Sequence, residues 1–337
     1  MEVIDILNIL VDCRWIGPHG IGRFAVEILK RLPQTRRLTS GPKPSSPIDP
    51  LYLSWILRAK KRPCLFFSPG YNVPLNSPVP FVFTIHDLNH LYASSNSSAL
   101  KKLFYQMFIL PACHRAYKIL TVSEFSKIKI LEWSNMPDEN VIVVGNGVDN
   151  KFSPIGPRYN PGYPYLLYVG NRKPHKNIDR LLKAFAQSKL SGDLKLVMSG
   201  EPDINIVTLV KKLKLEGRVI FAGLIDDDKL PEIYRGAIAF VFPSLYEGFG
   251  LPPLEAMACG TPVLTSNVTS FPEVVGDAAL MVDPYDVDAI AEGIKRLIED
   301  DNLRKELSQK GLVRAKLFSW DRTAEITWSV LKEAANL

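Results

Sequence analysis

The sequence predicts an α/β protein made of two doubly wound units, and three observations predict it. The chain has 337 residues, at roughly 100 to 200 per domain enough for two hydrophobic cores. Short β-rich apolar runs alternate with helical patterns along most of its length, as they do where parallel strands are buried on both faces. Between the halves, FSPIGPRYNPGYP carries Pro154, Pro157, Pro161 and Pro164 with two glycines, a composition that suits an exposed linker.

The first unit, set at 1–155, opens with the strand ILNILVD and a helix from about Ile21 to Leu32. The Pro/Ser-rich stretch TSGPKPSSPIDP at 39–50 stands where a second strand is due and reads as a mobile loop. CLFFS, PFVFTIHDL, a helix around Ala99–Tyr117, KILTVS, the helix EFSKIKILEWS capped by Ser123, and VIVVGNGVD follow. The second unit, set at 162–317, is more regular. Its pairs are YLLYVG with NIDRLLKAFAQSKL, LKLVMSG with INIVTLVKKLKLEG, VIFAG with DDKLPEIYRGA, and IAFVFPS with PPLEAMACG. PVLTSN and ALMVD with DVDAIAEGIKRLIED complete it.

Composition excludes several classes. With 46% hydrophobic and 23% charged residues the chain is neither disordered nor fibrous. No apolar run approaches the roughly 18 residues of a membrane span, and Asp5 and Asp12 stand where a signal peptide needs apolar residues, so a cytoplasmic location is expected. Cys13, Cys64, Cys113 and Cys259 form no CxxC pair and read as small buried residues. Residues 1–151 hold 18 Lys+Arg against 11 Asp+Glu, whereas 152–337 hold 23 against 24. The first half therefore faces something anionic, or simply has an uneven solvated surface. LYLSWILRAKKR at 51–62 and KKLFYQMFILPACHR at 101–115 mix aromatic and basic residues. Each reads either as a peripheral contact with anionic lipid or as a buried helix with snorkelling lysines.

Two motifs carry chemistry. Gly20-Ile21-Gly22-Arg23-Phe24-Ala25 matches GxGxxG/A between a strand and a helix. An NAD(P)-dependent oxidoreductase also needs an acidic residue ending a second strand, and RRLTSGPKPSS offers neither strand nor acid. The loop then serves either to let the backbone approach a phosphate or to make a tight turn. In Glu247-Gly-Phe-Gly-Leu-Pro-Pro-Leu-Glu255, Pro252 and Pro253 tolerate only a first helical turn, so a helix starts there. A carboxylate accepts two hydrogen bonds and suits a vicinal diol, while a glycine-rich loop at a helix start suits a diphosphate. The three-Asp run at 226–228 and Asp286-Val-Asp288 both match a metal-binding DxD but read as helix caps.

EGFGLPPLEAMACGTPVL is similar to the E-x7-E signature of retaining GT-B glycosyltransferases of family 4, the group that includes bacterial mannosyltransferases of polysaccharide assembly. GIGRFA, TIHDL, TVSEFSK, NGVDNKF, YVGNRKPHKN, FAGLIDDDKL and FSW fall in family order over almost the whole chain. The resemblance implies two Rossmann-like domains facing each other across a cleft, acceptor-binding and nucleotide-sugar-binding in that order. Residues from about 318 to 337, after Phe318-Ser319-Trp320, would return to the first.

By the same resemblance Glu247 approaches the donor sugar's hydroxyls and Glu255 holds the ribose. Gly248, Phe249, Gly250 and Leu251 lie beside the sugar and diphosphate, and Gly20, Gly22, Gly170 and Gly200 line the same substrate. Arg172 and Lys176 neutralise the departing diphosphate, and His86 lies close to the reacting sugar; Asp87 beside it either shares that role or caps the next loop. Arg23 adds positive charge nearby, and a carboxylate at Asp226 or Asp227 accepts from a guanine base. The implied reaction is metal-independent, cofactor-free transfer with retention, mannose from GDP-mannose being the first choice of donor. The acceptor is a glycan or lipid-linked glycan of polysaccharide or lipopolysaccharide assembly. A UDP-sugar or GDP-rhamnose donor, and more distantly the oxidoreductase, stay open. The chain lacks any nucleic-acid motif.

Overall fold

The structure, a computed structural model, describes residues 8–17, 19–44, 46–59, 62–92, 99–190 and 193–336. Two six-stranded sheets organise it, every pairing between named strands being parallel. The first contains β1 (Ile9–Asp12), β2 (Arg36–Leu38), β3 (Leu65–Ser68), β4 (Phe81–Thr84), β5 (Lys118–Thr121) and β6 (Val141–Val143), in the order β2-β1-β3-β4-β5-β6. The second contains β7 (Tyr165–Tyr168), β8 (Lys195–Met198), β9 (Val219–Phe221), β10 (Ala239–Phe242), β11 (Val263–Ser266) and β12 (Leu280–Val282), in the order β12-β11-β10-β7-β8-β9. The order reverses between β1 and β3 and between β7 and β10, and ligands of open α/β sheets bind at such carboxyl-end switch points. The central strands are buried on both faces, which is why LFFS, FVFT, YLLY and AFVF show no alternation.

One compact unit comprises Met1–Gly147 with Ser319–Leu337, the other Val148–Phe318. The division thus precedes the proline-rich segment. That segment is a strap on the second unit, not a free linker, because the buried Arg235 donates from Nη1 to the Ser153 carbonyl (2.9 Å) and from Nε to that of Pro157 (2.8 Å). The Tyr159 amide also donates to the Glu232 carbonyl at 3.0 Å. The returning helix Trp320–Ala335 is capped by the Ser319 hydroxyl and buries Trp320 beside Phe24, with ring centroids 6.3 Å apart. Gly147 is required there, since a Cβ would lie 2.1 Å from the Trp320 amide nitrogen.

Two expectations about residues 36–56 are overturned. Arg36–Leu38 is a strand paired with β1, short and only partly apolar, which hid it from a pattern search; no acid follows it. The stretch 39–50, apart from Ser45, is not loose. Arg14 Nη1 donates to the Pro42 carbonyl (3.1 Å) and to Asp49 Oδ1 (2.5 Å), Tyr52 OH donates to the Ser40 carbonyl (3.0 Å), and Asp49–Ile56 is a helix. Asp301–Ala315, which the sequence did not single out, is a helix capped by Asp300. Helical structure over 99–113 is continuous, with a π turn at Tyr105–Ile109. Cys13, Cys113 and Cys259 are buried, Cys64 is half-buried, and none of the four is in a disulfide.

Candidate active site

At the switch point of the second sheet, the loops after β7 and β10 are bolted together. After β7 the chain makes a 3-10 turn, Pro174–Lys176, that ends on Asn177 in the left-handed region (φ 61°), a conformation asparagine tolerates. Buried Asn177 donates from Nδ2 to the carbonyls of Pro243 (2.9 Å) and Pro284 (2.7 Å), joining the carboxyl ends of three strands. The Leu245 amide donates to the His175 carbonyl at 2.7 Å. Buried Ser244 has one hydroxyl proton to divide between Glu247 Oε1 at 2.7 Å and the His175 carbonyl at 2.9 Å. Ser270, fully buried, lies 3.0 Å from the carbonyls of both Glu247 and Phe249 and fixes the glycine-rich loop from behind.

That frame brings Lys176 Nζ to 2.6 Å from Glu247 Oε1, in an ion pair whose side chains are 12% and 15% exposed. Nζ also lies 5.1 Å above the Phe242 ring. Arg172 is held differently. Its Nη2 donates to the carbonyls of Ser199 and Gly200, and the guanidinium lies 5.8 Å from the ring centres of both Tyr168 and Phe221. Its Nε and Nη1 are buried without a hydrogen-bond partner, and burial pulls its pKa down from the ordinary value. Buried guanidinium hydrogens without acceptors are costly, so Arg172 keeps two donors that could take an anionic oxygen.

The glycines have distinct reasons. Gly250 adopts φ 100° at the start of the helix Leu251–Ala258, and a Cβ there would lie 2.9 Å from the Phe271 ring. Because Pro252 and Pro253 have no N–H, Leu251 is the one amide donor left among the first three helical positions. A Cβ on Gly170 would meet Tyr168 OH at 2.8 Å. Gly200 (φ 77°) donates its amide to the Gly223 carbonyl at 2.6 Å, tying the ends of β8 and β9. Phe249 is buried edge-on against Phe318, with centroids 5.6 Å apart, so it holds the loop down.

Other expected site residues have partners of their own. Glu255 is 5% exposed and accepts from Tyr234 OH at 3.2 Å. Asp227 pairs with Lys151 at 2.5 Å. Asp226 accepts from the Asp228 amide (3.2 Å) rather than capping a helix, whereas Asp286 does cap Val287–Glu299. Asp226 also lines a cavity of ≈ 270 Å³ with Tyr159, Tyr163, Ile220, Ile225 and Lys229.

In the first unit Gly22 is explained by packing, since a Cβ would come within 2.2 Å of the Gly17 carbonyl oxygen, while Gly20 opens onto free space. His19 Nδ1 accepts from the Gly22 amide and caps the helix Gly20–Arg31, which carries Arg23. His86 Nε2 lies 2.8 Å from the Pro69 carbonyl and therefore carries the proton. Burial pushes its pKa down to about 4 against the opposing Pro69 bond, so the imidazole is neutral at pH 7 with Nδ1 as acceptor. Asp87 Oδ1 accepts from the Asn89 amide, 2.9 Å away, capping the loop.

The sequence profile of the Glycosyltransferase Family 4 proteins matches residues 11–152, and that of the Glycosyl transferases group 1 family matches residues 149–314. O-antigen chain mannosyltransferase B of Escherichia coli is 34% identical over 300 residues, 85% of this chain and 78% of the relative. The chain belongs to glycosyltransferase family 4. The family 4 chain is also 31% identical over 229 residues to the serotype-specific mannosyltransferase WbdA of Escherichia coli, covering 63% of itself but 28% of that much longer protein. Among solved structures, sucrose-phosphate synthase from Thermosynechococcus elongatus superposes with a TM-score of 0.78 at 22% identity over 96% of this chain and 98% of that one. The two parallel six-stranded sheets are thus the GT-B fold, and the protein is a glycosyltransferase.

Of the predicted residues, the structure pairs Glu247, on whose loop Gly248, Phe249, Gly250 and Leu251 follow, with Lys176, and puts Arg172 on the same loop after β7 as Lys176. Sequence reasoning missed Ser244, Ser270 and Asn177 as its supports. Asn177 had a signal, a polar residue just before a helix; Ser270 had none, being 23 residues from Glu247.

Proposed function

We propose that this family 4 enzyme transfers mannose from GDP-mannose to a hydroxyl of a glycan or lipid-linked glycan in O-antigen-type polysaccharide assembly, with retention at the anomeric carbon. The observation that carries the proposal is the pairing of Lys176 with Glu247 next to Arg172, whose Nε and Nη1 lack acceptors. Glu247 supplies a carboxylate, braced by Ser244, that accepts from sugar hydroxyls. Arg172 and Lys176 supply fixed cations for the diphosphate, on which charge grows as the glycosidic bond breaks. Lys176 then exchanges its ion pair with Glu247 for phosphate oxygens. The departing diphosphate takes the acceptor hydroxyl's proton as that oxygen attacks from the same face. The donor sugar and the O-antigen context rest on the mannosyltransferase relatives. A UDP-sugar or GDP-rhamnose donor uses the same residues, with Asp226 or Asp227 deciding the base. Metal independence is part of the proposal.

The oxidoreductase alternative is disfavoured by β2, which ends at Leu38 and is followed by Thr39 and Ser40 with no acid for a ribose. The test is a thermal-shift panel of GDP, UDP, ADP, dTDP and their sugars, with NAD and NADP, each with and without EDTA. A ligand at 100 times its dissociation constant stabilises the native state by about 2.7 kcal/mol. A GDP-mannose shift insensitive to EDTA, followed by an α-mannosyl product seen by NMR, supports the proposal. A shift with NAD(P) alone, or a product of inverted configuration, overturns it.

A further inference from the structure

Five non-glycine residues adopt the left-handed backbone region among the described residues, and four of them have an evident reason. Asn135 closes the helix Glu124–Ser134 and Asn177 precedes Ile178–Gln187; asparagine tolerates this conformation. Lys189 and Lys214 stand one residue beyond the helix caps Ser188 and Leu213, where chains commonly leave a helix left-handed. Thr269 (φ 60°) is the fifth. It is β-branched, the side-chain type that this region crowds most, and it lies between β11 and the helix Phe271–Val275 rather than at the end of a helix. Nearby positive φ values fall on glycines, at Gly250, Gly260 and Gly276. The Thr269 hydroxyl is also buried with no hydrogen-bond partner among the described residues. A crowded backbone and an unmatched hydroxyl at one residue both raise the energy of this state.

The strain sits directly behind the glycine-rich loop. The Asn267 amide donates to the Val282 carbonyl at 2.9 Å and anchors the start of the segment. Ser270, the next residue after Thr269, lies 3.0 Å from the carbonyls of both Glu247 and Phe249. Phe271, fully buried, fills the space that a Cβ on Gly250 would enter, 2.9 Å away. Rotation of the Thr269 backbone therefore moves the groups that hold residues 247–250. We infer that Thr269 is a positioning residue whose strain belongs to the donor-free state. As the nucleotide-sugar donor draws the 247–251 loop onto itself, 267–270 turns with it, Thr269 leaves the crowded conformation and its hydroxyl gains a partner. The inference rests on the donor site of the proposed function. Strain that is relieved on binding adds to donor affinity, so a free state already relieved of it binds the donor more weakly by the same factor.

The experiment titrates GDP-mannose into the full chain by calorimetry and follows thermal melting with and without it. Thr269→Gly removes the crowded Cβ. It should raise the donor's dissociation constant about fivefold and shrink the donor-induced rise in melting temperature, with kcat at saturating donor unchanged. Thr269→Val keeps the branched Cβ but discards the hydroxyl, and should weaken donor binding as well. Lys214→Gly relieves a left-handed side chain at a helix end and should leave donor binding as in the parent. The extra freedom that glycine gives the unfolded chain affects free and bound melts alike, so the donor-induced shift is insensitive to it. If the glycine variant does not fold, Thr269→Asn, which tolerates the left-handed region, should show the same weakening. The inference is overturned if Thr269→Gly binds GDP-mannose as tightly as the parent and melts higher by the same amount with and without it, for the strain then persists in the bound state. It is also overturned if Lys214→Gly weakens donor binding equally. A parent chain that responds to no sugar nucleotide defeats the proposed function and this inference together; a parent that binds the donor and a variant that binds it equally well defeats this inference alone.

Discussion

At the carboxyl end of β1, the Arg14 side chain is 4% exposed and saturated. Nε and Nη2 grip both oxygens of Asp12 (2.8 and 2.7 Å), Nη1 reaches Asp49 (2.5 Å), and Asn72 donates to Asp12 as well (2.9 Å). Burial opposes the charge, but the bonds to the two aspartates outweigh it and raise the guanidinium's pKa. At the carboxyl end of β7, Arg172 is also largely withdrawn from water, yet two of its nitrogens have no acceptor and its pKa is lowered. Both cations follow the first strand of their sheet in comparable positions. One closes a loop; the other keeps two donors without an acceptor. Charge and burial are alike in the two cations, and completeness of the hydrogen-bond shell differs; under the proposed function that difference separates a cation that stabilises the fold from one that meets the donor.

The contrast can be broken from both sides. The largest expected effect is on turnover. Lys176→Ala or Glu247→Ala should lower kcat by about 10²–10³-fold, the scale for losing one preorganised charge contact, with little change in melting temperature. Full activity in either variant removes the ion pair from the mechanism. Arg14→Ala should do the reverse in kind, leaving two buried carboxylates uncompensated and lowering stability by about 3–5 kcal/mol, measured as the urea midpoint of the first unit's unfolding. An Arg14 variant as stable as the parent but inactive would make Arg14 itself a ligand-binding cation and erase the distinction.

A third expectation concerns pH. His86 has a folded pKa of about 4, below its ordinary 6.5, so between those values the unfolded chain binds a proton that the folded chain does not. Stability should therefore be complete above about pH 6.5 and fall towards pH 4, by up to about 3 kcal/mol. His86→Gln, which keeps a donor for the Pro69 carbonyl, should flatten that part of the curve; an unchanged slope in urea titrations at pH 5 and 7.5 refutes the assignment. The smallest effect is expected at Ser270→Ala. Losing one hydroxyl behind the Glu247–Phe249 loop should cost about 1 kcal/mol and appear mainly as a raised KM for the donor.

Much of the second unit was legible because its signals are local. EGFGLPPLE declares a loop and a helix start through residues with restricted backbones, and Leu251–Ala258 begins where the prolines require. The strand and helix runs from Tyr165 onward stand where their apolar patterns put them. The first unit was less legible. β2 is three residues, RRL, with one buried side chain, and the 39–50 segment looked loose because its anchor, Arg14, is 28 residues from Pro42 and 35 from Asp49. The mixed segments at 51–62 and 101–115 left a lipid-contact and a buried-helix reading open, and the structure leaves Trp55, Leu103 and Met107 exposed there.

By itself the sequence determined the two α/β units and the family, because each rests on residue type and spacing along the chain. The tertiary structure decided which charges are satisfied. Beyond Asp12 next to Arg14, whether Arg14 or Arg172 keeps free hydrogens depends on carbonyls and a carboxylate supplied by segments 27 to 35 residues away, and Lys176 meets Glu247 across 71 residues. Hydrogen bonding has a reach of about 3 Å in space and none along the chain, so only the strand order of each sheet could choose the partners.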